Sequence, residues 1–445
     1  MSIENETKSV GVSDGTKQTE ETRKKEWVER SIWTDRMLDA LETGVKGGVW
    51  FSLIDKVYRP ETLNNAWQAV KKNGGSAGTD HESVERFEEK LEENIAKLSE
   101  ELRKETYRPC AIKRVYIDKP GSRDKRPLGI PTVRDRVVQS AIRKVIEPIF
   151  ERQFSSNSYG FRPNRGCKDA LREVDRMLKA GYTHVVDADL KSYFDSIPHD
   201  QLMQEVGRNI ADGRLLRLLM SFLKQEILKD LGKWTPETGT PQGAVISPLL
   251  ANLYLHPVDQ AMEEAGYNMI RYADDFVIMC KDETEAKQAL HKVTQLITAR
   301  GLVMHPEKTR LVNTNEAGQG FDFLGYHFER GTRWPRKKSL EKIKDTIRSH
   351  TGRSNGHSLA DITTKQNRTL KGWFEYYKHS HKWTFLKLDG WIRQRLRSIL
   401  RKRSKGAKGI SGDMDHIRWP NKFFQELGLF SLEDAHARLL QSSMR

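Results

Sequence analysis

Cysteine and long apolar runs are scarce in this chain of 445 residues. Its three cysteines, Cys110, Cys167 and Cys280, form no CxxC pair, which excludes a disulfide-stapled secreted domain and a cysteine-rich zinc module. No stretch approaches the ~20 consecutive apolar residues that a membrane-spanning helix needs. Residues 1–26 are polar and lack the apolar core of a signal peptide, so we expect a disordered tail there. Glycine patterns typical of Rossmann and Walker A sites are also absent, which disfavours a small-molecule transferase.

Positive charge is abundant and is concentrated in one segment. The chain carries 76 Lys and Arg against 61 Asp and Glu, a net charge of +15. Residues 330–410 alone hold 23 Lys and Arg against five Asp and Glu, a net of +18, and are rich in Trp and Tyr. Cations interleaved with aromatic rings suit a phosphate backbone with stacked bases. An ordinary solvated helical face is the plainer alternative.

Apolar periodicity predicts a chain of mixed helices and strands. The predicted helices cover 27–107, 132–149, 215–228, 284–299 and much of the chain beyond 330. The predicted strands are a hairpin over 112–130, a buried strand over 183–190, a tight hairpin over 268–280 and a strand over 321–328. Pro148 is expected to kink or end its helix. Ser247 is expected to cap a helix that has Pro248 at its first position.

Three aspartates, Asp189, Asp274 and Asp275, stand at the ends of apolar strand-like runs. Burying such acids without a cation costs several kcal/mol each. Two-metal phosphoryl transfer needs carboxylates from separate strands that hold two Mg²⁺ ions ~3.5–4 Å apart, and this set meets that demand. The plainer alternative makes Asp274-Asp275 a solvated turn. Asp187 shares a strand face with Asp189 and is interpreted as a supporting residue, whereas Asp195 is interpreted as a loop or helix-start acid.

The motifs around these aspartates resemble those of reverse transcriptases. They are VDADLKSYFD at 186–195, GTPQGAVISP at 239–248 and RYADD at 271–275. Four more motifs are RPLGIP at 126–131, SYGFRPN at 158–164, FLGY at 323–326 and KGWFEYY at 371–377. The full set resembles the reverse transcriptase/maturase encoded by group II introns, of the bacterial type without an endonuclease domain. The resemblance is specific because the motifs run in family order from about residue 55 to about residue 405.

The resemblance implies an α+β fold. A right-hand polymerase, with fingers and a palm that contains an antiparallel sheet, is followed by an all-helical thumb and maturase X domain. The expected divisions are a disordered tail (1–26), a helical N-terminal extension with the start of the fingers (27–110), fingers (111–180), palm (181–330), basic thumb/X domain (331–410) and a short C-terminal segment (411–445). That last segment is either a DNA-binding module or a packed helical tail. It contains no cysteine, which argues against an endonuclease.

The resemblance also implies roles for individual residues. Asp189, Asp274 and Asp275 match the metal-binding catalytic triad, with the Leu190 carbonyl as a further ligand of two Mg²⁺ ions, for which Mn²⁺ is a substitute. The residues matched to the nucleotide are Lys119 and Arg126 (triphosphate), Phe194 (exclusion of a 2′-hydroxyl), Gln242 (nucleotide contact) and Lys308 (protonation of pyrophosphate). From the basic segment, the expected RNA contacts are Lys371, Arg393, Arg395, Arg397 and Arg401. Ala244 departs from the family, which often has a second glycine there.

The function implied is an RNA-directed DNA polymerase. It would use intron RNA as template, a DNA primer or target and deoxynucleotides, and would also bind the intron RNA to promote splicing and retrohoming. Two alternatives stay open: a splicing-only maturase with an inactive polymerase fold, which has no need of the aspartates, and a free-standing retroelement or defence reverse transcriptase, which tends to lack the X-like segment. We expect a cytoplasmic location in a bacterium, with an organelle still open, and no membrane partner. The oligomeric state is open, including a dimer.

Overall fold

The computed structural model describes residues 27–45, 47–118, 125–229, 232–354, 356–404 and 414–443. The helices are α1 (Asp35–Thr43), α2 (Ile54–Val57), α3 (Pro60–Asn73), α4 (Val84–Glu89), α5 (Leu91–Arg103), α6 (Val133–Glu151), α7 (Cys167–Lys179), α8 (Tyr193–Ser196), α9 (His199–Gly207), α10 (Gly213–Leu223), α11 (Ser247–Glu264), α12 (Glu283–Ala299), α13 (Lys337–His350), α14 (Leu359–Tyr377), α15 (Lys382–Arg403), α16 (Asp415–Arg418), α17 (Asn421–Glu426) and α18 (Leu432–Ser443). The strands are β1 (Ile112–Asp118), β2 (Lys125–Ile130), β3 (His184–Asp189), β4 (Ile227–Lys229), β5 (Gly232–Trp234), β6 (Asn268–Tyr272), β7 (Asp275–Cys280), β8 (Arg310–Asn313), β9 (Phe321–Phe323), β10 (Tyr326–Glu329) and β11 (Thr332–Pro335). None of these described helices is both long enough and apolar enough to cross a bilayer. The tail expected over 1–26 lies outside the described residues.

The first sheet has the strand order β2-β1-β4-β5. Strands β1 and β2 form the hairpin expected over 112–130, and its tip, residues 119–124, lies outside the described residues together with Lys119. Strand β4 joins in parallel, with Ile112 opposite Ile227. The helix expected over 215–228 therefore ends at Leu223, which corrects that prediction. The reason is a distant bond, because the Ile112 N–H donates to the Glu226 carbonyl (2.7 Å) and draws this backbone into the sheet.

The second sheet is antiparallel throughout, with the order β6-β7-β3-β8. Residues Phe276 to Cys280 of β7 are all buried, as expected for a strand that is covered on both faces. Phe276 and Ile278 belong to the largest apolar cluster, whereas Val277 and Met279 belong to a second cluster on the other face. This sheet is therefore held rigidly between two cores, and its strand ends carry the predicted site.

Two predictions involve proline: the structure contradicts an end of the helix at Pro148, whereas a kink there stays a prediction, and Ser247 does not cap its helix. Helix α6 does not end at Pro148 but continues to Glu151. Proline at this position leaves the Lys144 carbonyl without its helical donor, and the indole N–H of Trp33 donates to that carbonyl instead (3.1 Å). Ser247 is not a cap, because it is the first residue of α11 and its hydroxyl donates to the Pro241 carbonyl (2.9 Å).

The last part of the chain combines a small sheet, in the order β11-β10-β9, with α13, α14 and α15 around a third apolar cluster. Leu324 and Gly325 turn tightly between β9 and β10, both with positive φ. The hydroxyl of Tyr376 in α14 donates to the Leu324 carbonyl (2.7 Å), which fixes the helices to the sheet. Helix α18 packs on α15, where the Asp389 carboxylate accepts from the backbone N–H groups of Leu432 and Glu433.

Candidate active site

Two strand ends bring the three predicted metal-binding aspartates together. Asp189 ends β3 and Asp275 begins β7, and the two are direct cross-strand partners, which places their Cβ atoms ~5 Å apart. Asp274 lies in the turn between β6 and β7, next to Asp275. Burial and the charges of Asp187, Asp189 and Asp274 raise the pKa of Asp275 to about 7. Burial also raises the pKa of Asp274. The protein therefore holds a set of crowded, partly desolvated carboxylates that a cation would stabilise.

Two cationic side chains lie beside these aspartates. The Lys308 ammonium is bonded to Asp189, and Arg310 pairs with Asp187 (3.0 Å). In the part of the chain that the structure describes, no three His, Cys, Asp or Glu side chains already form a metal-binding cluster. The donor set nevertheless fits Mg²⁺, because it offers hard carboxylate oxygens from separate strands and leaves room for phosphate oxygens and water. The supporting role of Asp187 stays a prediction.

The segment after α12 places Lys308 beside Asp189 through backbone bonds. The His305 N–H donates to the Asp189 carbonyl (2.8 Å). Leu190, predicted as a carbonyl ligand, is buried and forms an isolated bridge with Met304. Sequence positions more than a hundred residues apart are thus joined at the end of β3.

The loop that carries Gln242 is fixed against the first sheet. The Gln242 carbonyl accepts from the Gly129 N–H (2.7 Å). Gly243 has φ +106°, and a Cβ there would overlap the Gly129 carbonyl, so glycine is required on two counts. Ala244 is buried, and its φ is not positive. A second glycine is therefore not needed at this position.

Phe194 and Arg126 come from two different elements, α8 and β2. Phe194 is half-buried with its ring edge-on to Tyr193 (5.6 Å), and its carbonyl accepts from the Thr240 N–H (2.7 Å). Arg126 lies in β2 opposite Ile117. Its charge lowers the pKa of Asp274. The described bonds join Lys308 to Asp189, the Gln242 loop to β2, and Phe194 to the same loop. The contacts of these residues with a nucleotide stay predictions, and Lys119 lies outside the described residues.

Sequence reasoning missed a buried network under the Asp274 turn. The Arg271 side chain is fully buried, and its guanidinium donates to Asp259 (Nε–Oδ1 2.7 Å), to Asn252 Oδ1 (3.0 Å) and to the Ala273 carbonyl (2.8 Å). The Asn252 amide in turn donates to the Gly160 carbonyl (2.7 Å). Ala273 has φ +61°, and this network holds that unfavourable conformation. The sequence signal that could have revealed this network is Arg271, a single charged residue in the apolar run that forms β6.

The five predicted RNA contacts differ in their surroundings. Arg397 is buried and donates to the Trp419 carbonyl and to Asn421 Oδ1 (both 2.9 Å). Arg401 pairs with Asp415 (2.9 Å), and Arg395 donates to the Thr351 hydroxyl (2.6 Å). Arg393 is half-buried, and Lys371 is exposed. Three of the five therefore support the packing of the helices. Exposed cations on α13, α14 and α15 include Lys337, Lys338, Lys342, Lys365, Arg368, Lys371, Lys382 and Lys387.

Comparison with known proteins agrees with this arrangement. Residues 117–328 match the family described as reverse transcriptase (RNA-dependent DNA polymerase), and residues 340–417 match the group II intron, maturase-specific domain. Protein YkfC of Escherichia coli K12 is 32% identical over 320 residues, which cover 62% of this chain and 83% of YkfC. The chain belongs to the group II intron reverse transcriptase/maturase family. The resemblance and the α+β fold class predicted from the sequence are confirmed, and the family implies use of a divalent metal.

Group II intron-encoded protein LtrA of Lactococcus lactis subsp. cremoris is 33% identical over 273 residues, which cover 60% of this chain. The match covers 45% of LtrA, so this chain spans less than half of that relative's length. A chain in the solved partial Cas6-RT-Cas1--Cas2 complex is 27% identical, with a TM-score of 0.37, over 56% of this chain and 41% of the other. The domain boundaries of this chain and the roles of its individual residues stay predictions.

Proposed function

We propose that this family member is an RNA-directed DNA polymerase that extends a DNA primer on an intron RNA template with deoxynucleotides. The observation that carries the proposal is the cross-strand pairing of Asp189 with Asp275 beside Asp274. Family membership supports the proposal. The carboxylates support it as well, because a protein that only bound RNA would have no chemical need of three crowded acids. We also propose the division into fingers (111–180), palm (181–330) and thumb/X domain (331–410), supported by the separate apolar cluster between Ile343 and Leu432.

Asp189, Asp274 and Asp275, with the Leu190 carbonyl, would hold two Mg²⁺ ions, with Mn²⁺ as a substitute. When bound, such ions lower the pKa of an attacking hydroxyl and neutralise charge on the leaving group. In the reaction, the primer 3′-hydroxyl loses its proton to solvent, its oxygen bonds to the α-phosphorus, and the bond between the α-phosphorus and the pyrophosphate breaks. Arg126, with Lys119, grips the triphosphate through charge-assisted hydrogen bonds.

Three further side chains act on the nucleotide and the leaving group. Phe194 fills the space under the 2′ position of the sugar. Gln242 contacts the nucleotide from a loop whose backbone is bonded to Gly129. Lys308 Nζ, now bonded to Asp189, would donate its proton to the departing pyrophosphate.

A second activity, help in splicing and retrohoming of an intron RNA, is proposed for the basic helices. The maturase-specific match over 340–417 coincides with these helices, and their exposed faces carry many cations. Such a surface binds RNA phosphates in a salt-dependent way. The splicing chemistry itself would belong to the RNA, so loss of the catalytic aspartates should leave this activity intact.

The test is primer extension on an RNA template by the purified Asp274→Asn protein. We expect extension to fall by several orders of magnitude while folding and RNA binding persist, because charge placement carries most of the catalysis. The exposed Asp200→Asn serves as the control and should extend normally. Near-normal extension by folded Asp274→Asn would refute the site assignment. Splicing help by a parent protein that extends no primer would favour the splicing-only maturase.

A further inference from the structure

A solvent-open cavity of about 410 Å³ lies between the first sheet and the loop that leads to Gln242. Pro127 lines it and follows Arg126 in β2, so the cavity lies on the sheet face opposite to the triphosphate cation. A volume of this size is typical of sites for small ligands. The cavity is therefore separate from the carboxylates, although the same loop borders both.

Three polar residues of this cavity differ in what they offer a ligand. Thr240 is only 1% exposed, and among the described residues its buried hydroxyl has no hydrogen-bond partner. The buried Nε of Arg114 also has none. Asp195 stands at the mouth, where its backbone carbonyl accepts from the Thr238 hydroxyl (3.1 Å) and its exposed carboxylate remains an acceptor. The Thr240 hydroxyl and the Arg114 Nε have almost no surface open to the cavity, so the Asp195 carboxylate is the polar group that a ligand would meet.

A flat aromatic surface completes the cavity. Trp234 is 38% exposed, and the Arg114 guanidinium lies over its indole ring, 5.1 Å from the ring centre. Indole rings and guanidinium planes are the surfaces on which unpaired RNA bases stack. Ile227 and Pro127 add apolar wall, which suits a base better than a free phosphate.

We propose that this cavity binds one unpaired nucleotide of an RNA strand. The base stacks on the Trp234–Arg114 pair and donates from its amino group to Asp195. A carboxylate only accepts, and the N3–H donor of uracil lies between two carbonyl oxygens that repel a carboxylate, so bases with an exocyclic amino group bind better than uracil. The inference rests on the proposed function in one respect, that RNA is a ligand of this chain.

The experiment uses the full chain and a short oligoadenylate that contains one 8-azidoadenosine. After irradiation, the crosslinked peptide is identified by mass spectrometry, and crosslinks at the basic helices serve as an internal reference. We expect crosslinking within residues 226–241, reduced roughly tenfold in Trp234→Ala, since one stacked base is lost. Phe51→Ala removes an exposed aromatic ring outside the cavity and should change nothing.

Base preference separates ligand binding from a structural effect. Unlabelled oligocytidylate should compete at this site better than oligouridylate, and Asp195→Asn should remove that difference while the protein stays folded. Equal competition by both polymers in the parent, or no crosslink at 226–241, would overturn the proposal. Primer extension is measured separately. If the parent protein extends primers but shows no crosslink at 226–241, only the cavity proposal is wrong. If the crosslink forms but no primer is extended, only the polymerase proposal is wrong.

Discussion

The guanidinium of Arg271 bonds both carboxylate oxygens of Asp259, and neither side chain is exposed to solvent beyond a few per cent. This ion pair ties α11 to the strand that leads into the Asp274 turn. A buried charge that loses its partner is far more costly than the pair itself is stabilising. The pair therefore holds the Asp274 turn in place from beneath.

We expect Asp259→Asn to lower the free energy of unfolding by about 3–5 kcal/mol, because Arg271 would remain buried without a countercharge. Urea denaturation followed by circular dichroism measures this. Asp169→Asn, which breaks the exposed pair with Arg172, should cost less than about 1 kcal/mol. Equal costs for the two variants would contradict the role assigned to the network.

Gly243→Ala should raise the KM for deoxynucleotides and lower extension at least tenfold. The new Cβ would meet the Gly129 carbonyl, and φ +106° strains any residue with a side chain. Steady-state extension at varied nucleotide concentration is the measurement. Gly207→Ala, where a Cβ meets open space, is the matched control and should leave the kinetics unchanged. Unaltered kinetics in folded Gly243→Ala would show that the close approach does not position Gln242.

Phe194→Ala should relax sugar discrimination, because a smaller side chain leaves room for a 2′-hydroxyl. The measurement is the ratio of ribonucleotide to deoxynucleotide incorporation, which we expect to rise by at least an order of magnitude. The neighbouring Tyr193→Phe removes only a hydroxyl that bonds the Ala251 carbonyl and should leave the ratio unchanged. If active Phe194→Ala keeps the parent ratio, Phe194 serves only to pack the core.

Replacing Lys365, Arg368 and Lys371 together by Ala should weaken intron RNA binding. These exposed cations share α14, and three lost phosphate contacts should reduce the slope of log affinity against log salt by about 2. Filter binding over a range of salt measures both quantities. Arg397→Ala should instead destabilise the fold by about 1–3 kcal/mol, since it leaves the buried Trp419 carbonyl unpaired. An unchanged salt slope in the triple variant would exclude this helix as an RNA-binding surface.

His327 should make the small third sheet sensitive to pH. A hydrogen bond to Asp322 (2.7 Å) raises the pKa of His327, and Glu329 adds to the effect. The protonated form is thus favoured in the folded state, so its stabilisation is complete below the unfolded pKa of about 6.5 and is lost as pH rises through the folded value. His327→Gln should therefore cost more stability at about pH 6 than at about pH 9. The same cost at both values, measured by thermal unfolding, would contradict this.

Secondary structure could be predicted where it depends on residues that are neighbours in the sequence. Alternating apolar runs around two acids predicted the 268–280 hairpin, and β6 and β7 form it. The end of the 215–228 helix was not predictable, because a bond from Ile112, more than a hundred residues away, decides it. The basic composition of residues 330–410 led to the prediction that Arg397 contacts RNA. The structure shows that Arg397 is buried, and a count of charges carries no information about burial.

The same limit applies to the candidate site. Asp189, Asp274 and Asp275 could be named from the sequence because acids at the ends of apolar strands are rare without a cation to hold. The partners of Arg271 could not, because Asn252 and Asp259 face it from a helix, and their directions depend on packing. The cavity beside Trp234 depends on a parallel strand pairing that periodicity does not show.

The pairing of β3 with β7 makes the spacing of the three acids a property of the backbone. Side chains alternate between faces along a strand, so a shift of one residue would present Ala188 where Asp189 now stands and turn the carboxylate into the opposite core. An insertion or deletion within β3 or β7 should therefore separate these acids, whereas substitutions that keep the length of both strands should leave their spacing unchanged.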